Sequence, residues 1–196
     1  MTCYDGVEIR MLPGVYEPAE DTFLLAKEID ARPGERVLDM GTGSGLLGLI
    51  AARKGASVLA VDINPQAVEC AQRNARLNGL EDFHARRSDL FSGVEGRFDL
   101  IIFNPPYLPT EEGEPRDLEA LAWDGGSSGR EVIDRFLRDV RGYLLPGGRV
   151  LMLGSSLSGH EKTAGVLRNQ GFCVSPLSSL RLDFEELVVI RAVYDL

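Results

Sequence analysis

The chain has 196 residues, of which 44% are hydrophobic, 26% charged and 7% aromatic. This composition is typical of a globular protein with one hydrophobic core, and it excludes a disordered or collagen-like chain. Thirty acidic against 21 basic residues give a formal net charge of −9. Because that charge repels polyanions, it disfavours independent binding to nucleic acid.

The three cysteines, Cys3, Cys70 and Cys173, are far apart and form no Cys-x-x-Cys pair or Cys/His cluster. We therefore expect free thiols, no metal site and a cytoplasmic protein. No apolar run approaches the roughly 20 residues that span a bilayer, and Asp5 and Glu8 stand where a signal peptide would be basic and then apolar. The sequence accordingly predicts no contact with membranes.

After an N-terminal segment at 1–35, short aliphatic runs alternate with longer amphipathic stretches. The runs predict buried strands, and the stretches between them predict helices. In chain order the elements are a strand at 37–40, a helix at 45–54, a strand at 58–62, a helix at 64–78, a weaker strand at 84–87 and a strand at 98–103. Asn64 followed by Pro65 is the clearest helix start, since asparagine caps helices and proline suits the first helical position.

Residues 104–129 are broken by prolines and glycines and show no periodicity, which predicts a long loop of the kind that usually carries function. The remaining elements are a helix at 130–145, a strand at 149–153, a helix at 158–169 and strands at 172–176 and 186–193. No helix separates the last two strands, so they should pair as an antiparallel hairpin. The whole chain, 1–196, is predicted to be a single α/β domain, with a seven-stranded, mostly parallel sheet and helices on both faces.

Gly41, Gly43 and Gly45 stand where the first predicted strand turns into a helix, so a ligand can approach bare backbone there. Gly43, Gly45 and Gly48 also satisfy the pattern G-x-G-x-x-G, which leaves open a nicotinamide-dependent or non-catalytic dinucleotide-binding module. Asp39 argues against a dinucleotide. A carboxylate at the end of this strand would repel a pyrophosphate but attract an ammonium or sulfonium group.

Two more carboxylates follow predicted strands. Asp62 comes about 20 residues after Gly41, the spacing at which a carboxylate can accept hydrogen bonds from ribose hydroxyls. Asp89 can accept from an adenine amino group, with Leu90 covering the ring. Together with Asp39 they indicate a ligand that has an amine, a ribose and an adenine but no phosphate, and S-adenosylmethionine has these parts.

Asn104, Pro105, Pro106 and Tyr107 directly follow the strand at 98–103. The prolines remove backbone donors and hold Asn104 extended, so its side-chain oxygen and a nearby carbonyl become fixed acceptors for an NH2 group. Tyr107 can stack on a flat amide or base and hold its nitrogen in line with a methyl–sulfur bond. Because such nitrogens are poor nucleophiles, we expect positioning and charge matching, more than a general base, to determine the rate.

These motifs resemble those of the class I S-adenosylmethionine-dependent N-methyltransferases. Among these, the chain is most similar to the HemK-like enzymes that methylate the glutamine of the Gly-Gly-Gln tip in translation release factors. The resemblance covers nearly the whole chain. It includes Val-Tyr-Glu-Pro-Ala-Glu-Asp-Thr-Phe-Leu-Leu at 15–25, which resembles the N-terminal entry segment of the archaeal and eukaryotic enzymes. It also includes Trp-Asp-Gly-Gly at 123–126, which leads to Arg-Glu-Val at 130–132.

The resemblance implies a Rossmann-like class I methyltransferase fold, S-adenosylmethionine as cofactor and the following site. The cofactor would be bound by Thr22, Asp39, Gly41, Gly43, Gly45, Asp62, Asp89 and Leu90. The acceptor amide would be held by Asn104, Pro105, Pro106 and Tyr107, with Asn104, Pro105 and Tyr107 as the catalytic residues. The Asn-Pro-Pro-Tyr motif is shared with enzymes that methylate amino groups of adenine, cytosine and guanine, so an RNA or DNA amino-methyltransferase remains the alternative.

The resemblance also implies partners. Bacterial members carry an extra N-terminal helical domain that recognises the release factor, whereas only about 35 residues precede the glycine turn here. The archaeal and eukaryotic branch lacks that domain and works with a small zinc-binding activator subunit along the edge of the third strand. We therefore expect a heterodimer with such a subunit, a release factor as substrate and no direct nucleic-acid contact. The short strand at 84–87 would be an exposed edge, and such edges are commonly covered.

Overall fold

A computed structural model describes residues 2–110 and 120–194, so residues 111–119 of the predicted loop lie outside the described part. An antiparallel hairpin of β1 (Thr2–Tyr4) and β2 (Val7–Ile9) precedes α1 (Glu20–Lys27). The other elements, in chain order, are β3 (Arg36–Met40), α2 (Leu46–Arg53), β4 (Ser57–Asp62), α3 (Pro65–Leu77), β5 (Phe83–Arg87), β6 (Phe98–Phe103), α4 (Glu131–Asp139), β7 (Leu144–Ser155), α5 (His160–Asn169), β8 (Phe172–Arg181) and β9 (Glu186–Tyr194). Within these ranges no helix has the length and apolar character that a membrane crossing requires.

Seven strands form one sheet in the order β5-β4-β3-β6-β7-β9-β8. Neighbouring strands from β5 to β7 are parallel, and β9 is antiparallel to both β7 and β8. The prediction of a seven-stranded, mostly parallel sheet that ends in an antiparallel hairpin is therefore confirmed. Among the strands that the structure describes, β5 and β8 are the two edges.

Alternate side chains of the central strands point into two separate cores. On one face, Val37 of β3 and Leu100 of β6 pack with apolar residues of α1, α2 and α3. On the other face, Leu38 and Ile101 pack with residues of α4 and α5. Helices thus cover both faces of the sheet, as predicted. Strands buried on both sides need apolar residues at every position, which explains the continuous aliphatic runs in the sequence.

The strand order places a ligand site between β3 and β6. From β3 the chain builds outward through β4 to β5, and it then returns to the other side of β3 to form β6. Ligands of open parallel sheets bind beyond the carboxyl ends of the strands at such a reversal of direction. Met40 and Phe103 end these two strands as paired neighbours, so the glycine turn and the Asn-Pro-Pro-Tyr segment emerge side by side.

The structure corrects the prediction for residues 130–153. The helix predicted at 130–145 ends at Asp139 and continues as a short 3-10 turn, and the strand predicted at 149–153 spans Leu144–Ser155. The Pro-Gly-Gly segment at 146–148 therefore lies inside the strand. The pairing of β7 with β6 shifts register across this segment, and such a bulge accommodates residues that would otherwise break a strand.

Two further segments differ from the prediction. The strand predicted at 172–176 extends to Arg181. Pro176 suggests a strand end in the sequence, but β8 is an edge strand, where proline is tolerated, and its register shifts between Pro176 and Ser178. The N-terminal segment holds a hairpin and a helix that the sequence analysis does not assign. The strands have three residues each and the helix has eight, so neither is long enough to show a clear period.

Candidate functional site

A cavity opens at the carboxyl edge of the sheet, at the reversal between β3 and β6. It is lined by the turn after β3, the ends of β4 and β6, the segment after β5 and part of the N-terminal segment. The predicted site residues that line it are Thr22, Gly41, Gly43, Asp62, Asp89, Leu90, Asn104 and Pro106. The fold thus brings most of the predicted site together, whereas Asp39, Gly45, Pro105 and Tyr107 are not among the lining residues.

The turn between β3 and α2 presents bare backbone to the cavity. Gly41 and Gly43 line it with φ angles of 64° and 55°, a conformation that glycine adopts without strain. A Cβ atom at Gly43 would meet no protein atom within 4 Å, so the space beside it is open. Gly45 has a packing role instead, since a Cβ atom there would lie 3.0 Å from the Cα atom of Ala71 in α3.

Asp39 lies beneath this turn and is fully buried. Its Oδ2 atom accepts hydrogen bonds from the Thr42 hydroxyl (2.5 Å) and the Gly48 amide (3.0 Å), which hold the turn together. Its Oδ1 atom is buried without a partner among the described residues. Burial raises the pKa of Asp39 to about 7, although the two hydrogen bonds lower it, and the nearby Asp62 charge adds to the rise.

Asp62 ends β4 with its carboxylate at the cavity. The Gly43 amide donates to Oδ2 (2.9 Å) and the Asn64 amide donates to Oδ1 (2.9 Å), so the carboxylate is held in place. Burial raises the pKa of Asp62, while these hydrogen bonds lower it. The Asn64 side chain accepts from the Gln66 amide (2.9 Å), which confirms the predicted cap of α3. A fixed carboxylate with free lone pairs can accept hydrogen bonds from ribose hydroxyls.

Asp89 and Leu90 form another wall, in the turn that follows β5. Leu90 has a φ angle of 47°, a backbone conformation that residues other than glycine rarely adopt. The Ser88 hydroxyl donates to the Leu90 carbonyl (2.7 Å) and stabilises this turn. Backbone strain of this kind is concentrated at ligand-binding sites. Asp89 is exposed and forms an ion pair with Arg135 of α4 (2.7 Å).

Asn104 follows β6 and is held by two residues of α1. Its Nδ2 atom donates to Oδ2 of Asp21 (2.9 Å) and to the Thr22 hydroxyl (3.3 Å). The Oδ1 atom is buried, and it has no hydrogen-bond partner in the part of the chain that the structure describes. An unpaired buried acceptor is costly, so an acceptor of this kind at a cavity fits a ligand that brings an N–H donor.

Pro105 is buried, and Tyr107 is half-buried against both cores. Burial raises the pKa of Tyr107, and the nearby carboxylates of Asp21 and Glu185 raise it further. Burial also raises the pKa of Tyr16, whose hydroxyl donates to Oδ1 of Asp21 (3.3 Å). Both phenols therefore stay neutral at physiological pH, and Tyr16, which lines the cavity, can offer a flat apolar face to a ligand.

Three residues in or near the site are not predicted from the sequence: Tyr16, Asp21 and Glu185. Tyr16 lines the cavity and Asp21 is buried behind it. Both belong to the segment at 15–25 that also contains Thr22, so this segment is the feature of the sequence that could have identified them. Glu185 accepts from the Ser155 hydroxyl (2.7 Å) in the turn between β8 and β9. No local pattern marks Glu185, because its position depends on where the C-terminal hairpin ends.

Carboxylates dominate the charge of the cavity. Asp62, Asp89 and Asp124 line it, and Arg135 is the only basic side chain in the described lining, where it pairs with Asp89. A phosphate group would meet like charge here, whereas a sulfonium or ammonium group would be attracted. The residues present therefore fit S-adenosylmethionine better than a dinucleotide.

Comparisons with known proteins agree with this chemistry. A family model described as methyltransferase small domain matches residues 6–121. A Methanocaldococcus jannaschii protein, MJ0928, named as a candidate protein N5-glutamine methyltransferase, is 46% identical over 190 residues that cover 96% of each chain. The human methyltransferase HEMK2 is 35% identical over 191 residues, which cover 90% of this chain and 88% of that protein.

A solved structure is similar over almost the same length. It is the Mtq2–Trm112 complex of E. cuniculi, described as responsible for methylation of the translation termination factor eRF1. The match has a TM-score of 0.72 at 27% sequence identity and covers 93% of this chain and 99% of that chain. Sequence and structure comparisons therefore point to the same group of proteins.

Proposed function

This chain belongs to the methyltransferase small domain family, and we propose that it methylates the side-chain nitrogen of a glutamine in a protein. The predicted Rossmann-like class I methyltransferase fold is confirmed, and S-adenosylmethionine is the cofactor of the family. When bound, this cofactor supplies a methyl group on a positively charged sulfur. The residues of the chain must then bind it, orient the acceptor nitrogen and exclude water.

We assign cofactor binding to the walls built from the turns after β3, β4 and β5. The Asp62 carboxylate accepts from the ribose hydroxyls, and Asp89 and Leu90 hold the adenine. Thr22, Gly41 and Gly43 complete these walls. Asp39 and Gly45 act from behind the lining, Asp39 by holding the turn and adding negative charge, and Gly45 by letting α2 approach α3.

The unpaired Oδ1 atom of Asn104 is the observation that carries the proposal. It is a buried acceptor on a residue that lines the cavity, and a glutamine side chain ends in an NH2 group that can donate to it. Pro105 and Pro106 lack N–H groups, so the backbone beside Asn104 offers carbonyl acceptors and no competing donors there. We assign Tyr107 to the acceptor site as a flat face for the amide, although it lies outside the lining; it directly follows Pro106, which lines the cavity.

We propose a translation release factor as the acceptor protein, methylated at the glutamine of its Gly-Gly-Gln tip. The names of the similar proteins support this choice, since MJ0928 carries N5-glutamine methylation in its name and the Mtq2–Trm112 complex methylates a termination factor. The carboxylate-rich cavity and the net charge of −9 oppose a phosphate-bearing acceptor. An RNA or DNA acceptor is therefore not favoured.

A labelling experiment tests the proposal. The chain is incubated with tritiated S-adenosylmethionine and an archaeal or eukaryotic-type release factor, with and without a small zinc-binding partner. We expect label on the release factor, and none when the tip glutamine is replaced by alanine. Replacement of a glutamine elsewhere in the factor is the matched control and should preserve labelling. Label that survives the tip substitution, or transfer to RNA or DNA at physiological salt, would refute the proposal.

We further propose that a small zinc-binding activator subunit covers β5. Mtq2 is described in a complex with Trm112, and β5 lies at an edge of the sheet with His84, Arg86 and Arg87 exposed. Sheet edges present unpaired backbone groups that a partner chain can satisfy. The cytoplasmic location and the single-domain organisation remain predictions from the sequence.

A further inference from the structure

We infer that Asp21 is a positioning residue for methyl transfer, because it fixes the side-chain amide of Asn104 so that its oxygen faces the acceptor. The inference rests on the proposed function and deepens it. Asp21 is 6% exposed and is not among the residues that line the cavity. It therefore acts through Asn104 and not by contact with the acceptor.

The amide group of an asparagine can be turned either way, since its oxygen and nitrogen ends have nearly the same shape and its terminal torsion is broad and roughly two-fold. Only the oxygen end can accept a hydrogen bond from an acceptor NH2 group. With the nitrogen end turned toward the cavity, Asn104 would present a donor to a donor. The site therefore needs a group that selects one of the two orientations.

The Asp21 carboxylate selects the orientation of the Asn104 amide group. Its Oδ1 atom accepts from the Thr22 amide (2.6 Å), the Thr22 hydroxyl (3.1 Å) and the Tyr16 hydroxyl (3.3 Å). Those donors hold the carboxylate and leave Oδ2 for Nδ2 of Asn104 (2.9 Å). Because an ionised carboxylate can only accept, it pairs with the NH2 end of Asn104 and turns the oxygen end away.

The Thr22 hydroxyl reinforces the same orientation. It donates to Asp21, so its lone pairs are available to accept from Nδ2 of Asn104 at 3.3 Å. The hydrogen bonds therefore run in one direction, from Asn104 to Thr22 to Asp21. Asp21 and Thr22 are almost completely buried. In low-dielectric surroundings, hydrogen bonds to a charged carboxylate are strong.

The first experiment is the substitution Asp21→Asn, which keeps the shape of the side chain. The three donors around Oδ1 hold the oxygen of the new amide, so its NH2 group faces the NH2 group of Asn104. Two donors cannot pair, and Asn104 is expected to turn its oxygen toward position 21 and its NH2 toward the acceptor. We expect kcat to fall about a hundredfold, with the affinity for S-adenosylhomocysteine in calorimetry unchanged.

A swap of the two side chains separates positioning from simple structural support. In the double variant Asp21→Asn/Asn104→Asp, the new amide donates to a carboxylate, whose other oxygen accepts from the substrate. We expect the double variant to turn over about tenfold faster than Asp21→Asn alone. A double variant no faster than Asp21→Asn, in a protein that melts at the wild-type temperature, would overturn the inference.

Glu20→Gln is the matched control, because it removes the same charge from the preceding, exposed residue and leaves the hydrogen bonds of Asn104 intact. We expect wild-type kcat from it. If Glu20→Gln lowered kcat as much as Asp21→Asn does, the effect would come from charge alone and the positioning role would be refuted.

Nuclear magnetic resonance tests the orientation without any acceptor protein. A charge-assisted hydrogen bond to Asp21 should shift one Asn104 side-chain NH2 proton downfield, and Asn104→Ala identifies that signal by its loss. We expect Asp21→Asn to abolish the shift and Glu20→Gln to keep it. A signal that Asp21→Asn leaves in place would overturn the inference even if the release factor is labelled. A missing label with the expected signals would instead overturn the proposed acceptor.

Discussion

At the scale of the residue, two of the buried oxygen atoms that lack partners lie in or beneath the site, while Oε1 of Gln170 and Oγ of Ser178 lie elsewhere. Oδ1 of Asp39 and Oδ1 of Asn104 are both in this state in the described part of the chain. Leaving a buried acceptor unpaired costs roughly 1–3 kcal/mol, so such atoms are tolerated mainly where a ligand completes them. Asn104 lines the cavity beside the proposed acceptor, whereas Oδ1 of Asp39 lies beneath the turn after β3 and outside the lining.

Asn104→Ala should separate the two halves of the site. It removes the acceptor for the substrate NH2 group but leaves the turns after β3, β4 and β5 intact. We expect kcat for release-factor methylation to fall at least about a hundredfold, with no change in the affinity for S-adenosylhomocysteine measured by calorimetry. Asn169→Ala, at the exposed end of α5, is the control and should behave like the wild type. Loss of cofactor binding with transfer retained would contradict the role of Asn104.

Asp39 makes the stability of the ligand-free protein depend on pH. Its pKa is raised to about 7 from an ordinary value of 3.8, so between these values the folded protein binds up to one more proton than the unfolded chain. Stability therefore decreases as the pH rises through this window, by at most about 1.4 kcal/mol per pH unit. The raised pKa of Asp62 acts in the same direction.

Thermal melting between pH 5 and pH 8 tests this dependence, in the wild type and in Asp39→Asn. We expect the melting temperature of the wild type to fall over this range and the slope to be shallower in the variant, which has no charge to bury. Equal slopes in the two proteins would show that Asp39 does not titrate in this range.

At the scale of the element, Arg149 joins segments that are far apart in the chain. It lies in β7 and is 5% exposed, and it donates to both carboxylate oxygens of Glu35 (2.9 Å each) and to Oδ1 of Asp30 (2.7 Å). These hydrogen bonds connect β7 to the segment between α1 and β3. They hold α1, and with it Asp21 and Thr22, against the sheet.

Arg149→Ala should therefore destabilise the protein. Removal of one partner from a buried ion pair costs about 3 kcal/mol, and Glu35 keeps little contact with solvent to replace the lost hydrogen bonds. Chemical denaturation measures the effect. Arg138→Ala, at an exposed position of α4, is the matched control and should change stability by less than about 0.5 kcal/mol. Equal effects from the two substitutions would contradict the structural role of Arg149.

At the scale of the whole molecule, the sheet has two edges, β5 and β8, in the described part of the chain. The partner proposed above should cover only one of them. In hydrogen exchange, we expect the backbone amides of residues 83–87 to gain protection when the small zinc-binding subunit is added. The amides of β8 are the internal control and should not change. Protection of β8 in place of β5 would place the partner at the wrong edge and refute the proposed interface.

The sequence predicts the sheet and the identity of most site residues because both depend on local chemistry. Aliphatic runs mark β3, β4 and β6 because strands covered by helices on both faces need apolar residues throughout. The glycine turn and the Asn-Pro-Pro-Tyr segment are recognisable for the same reason, since glycine exposes the backbone and proline restricts it wherever they stand. Their meeting at one edge follows from the α/β pattern.

Local sequence patterns do not predict contacts between segments that are far apart in the chain. Asp21 and Asn104 are 83 residues apart and meet only because α1 packs beside the end of β6. Asp39 lies near the end of β3 as predicted, yet the packing of the turn above it decides that it is buried and does not line the cavity. The helix predicted at 130–145 ends early because pairing with β6 draws Leu144 into a strand. In each case three-dimensional packing and strand pairing, which local periodicity does not encode, select among conformations that the residues themselves allow.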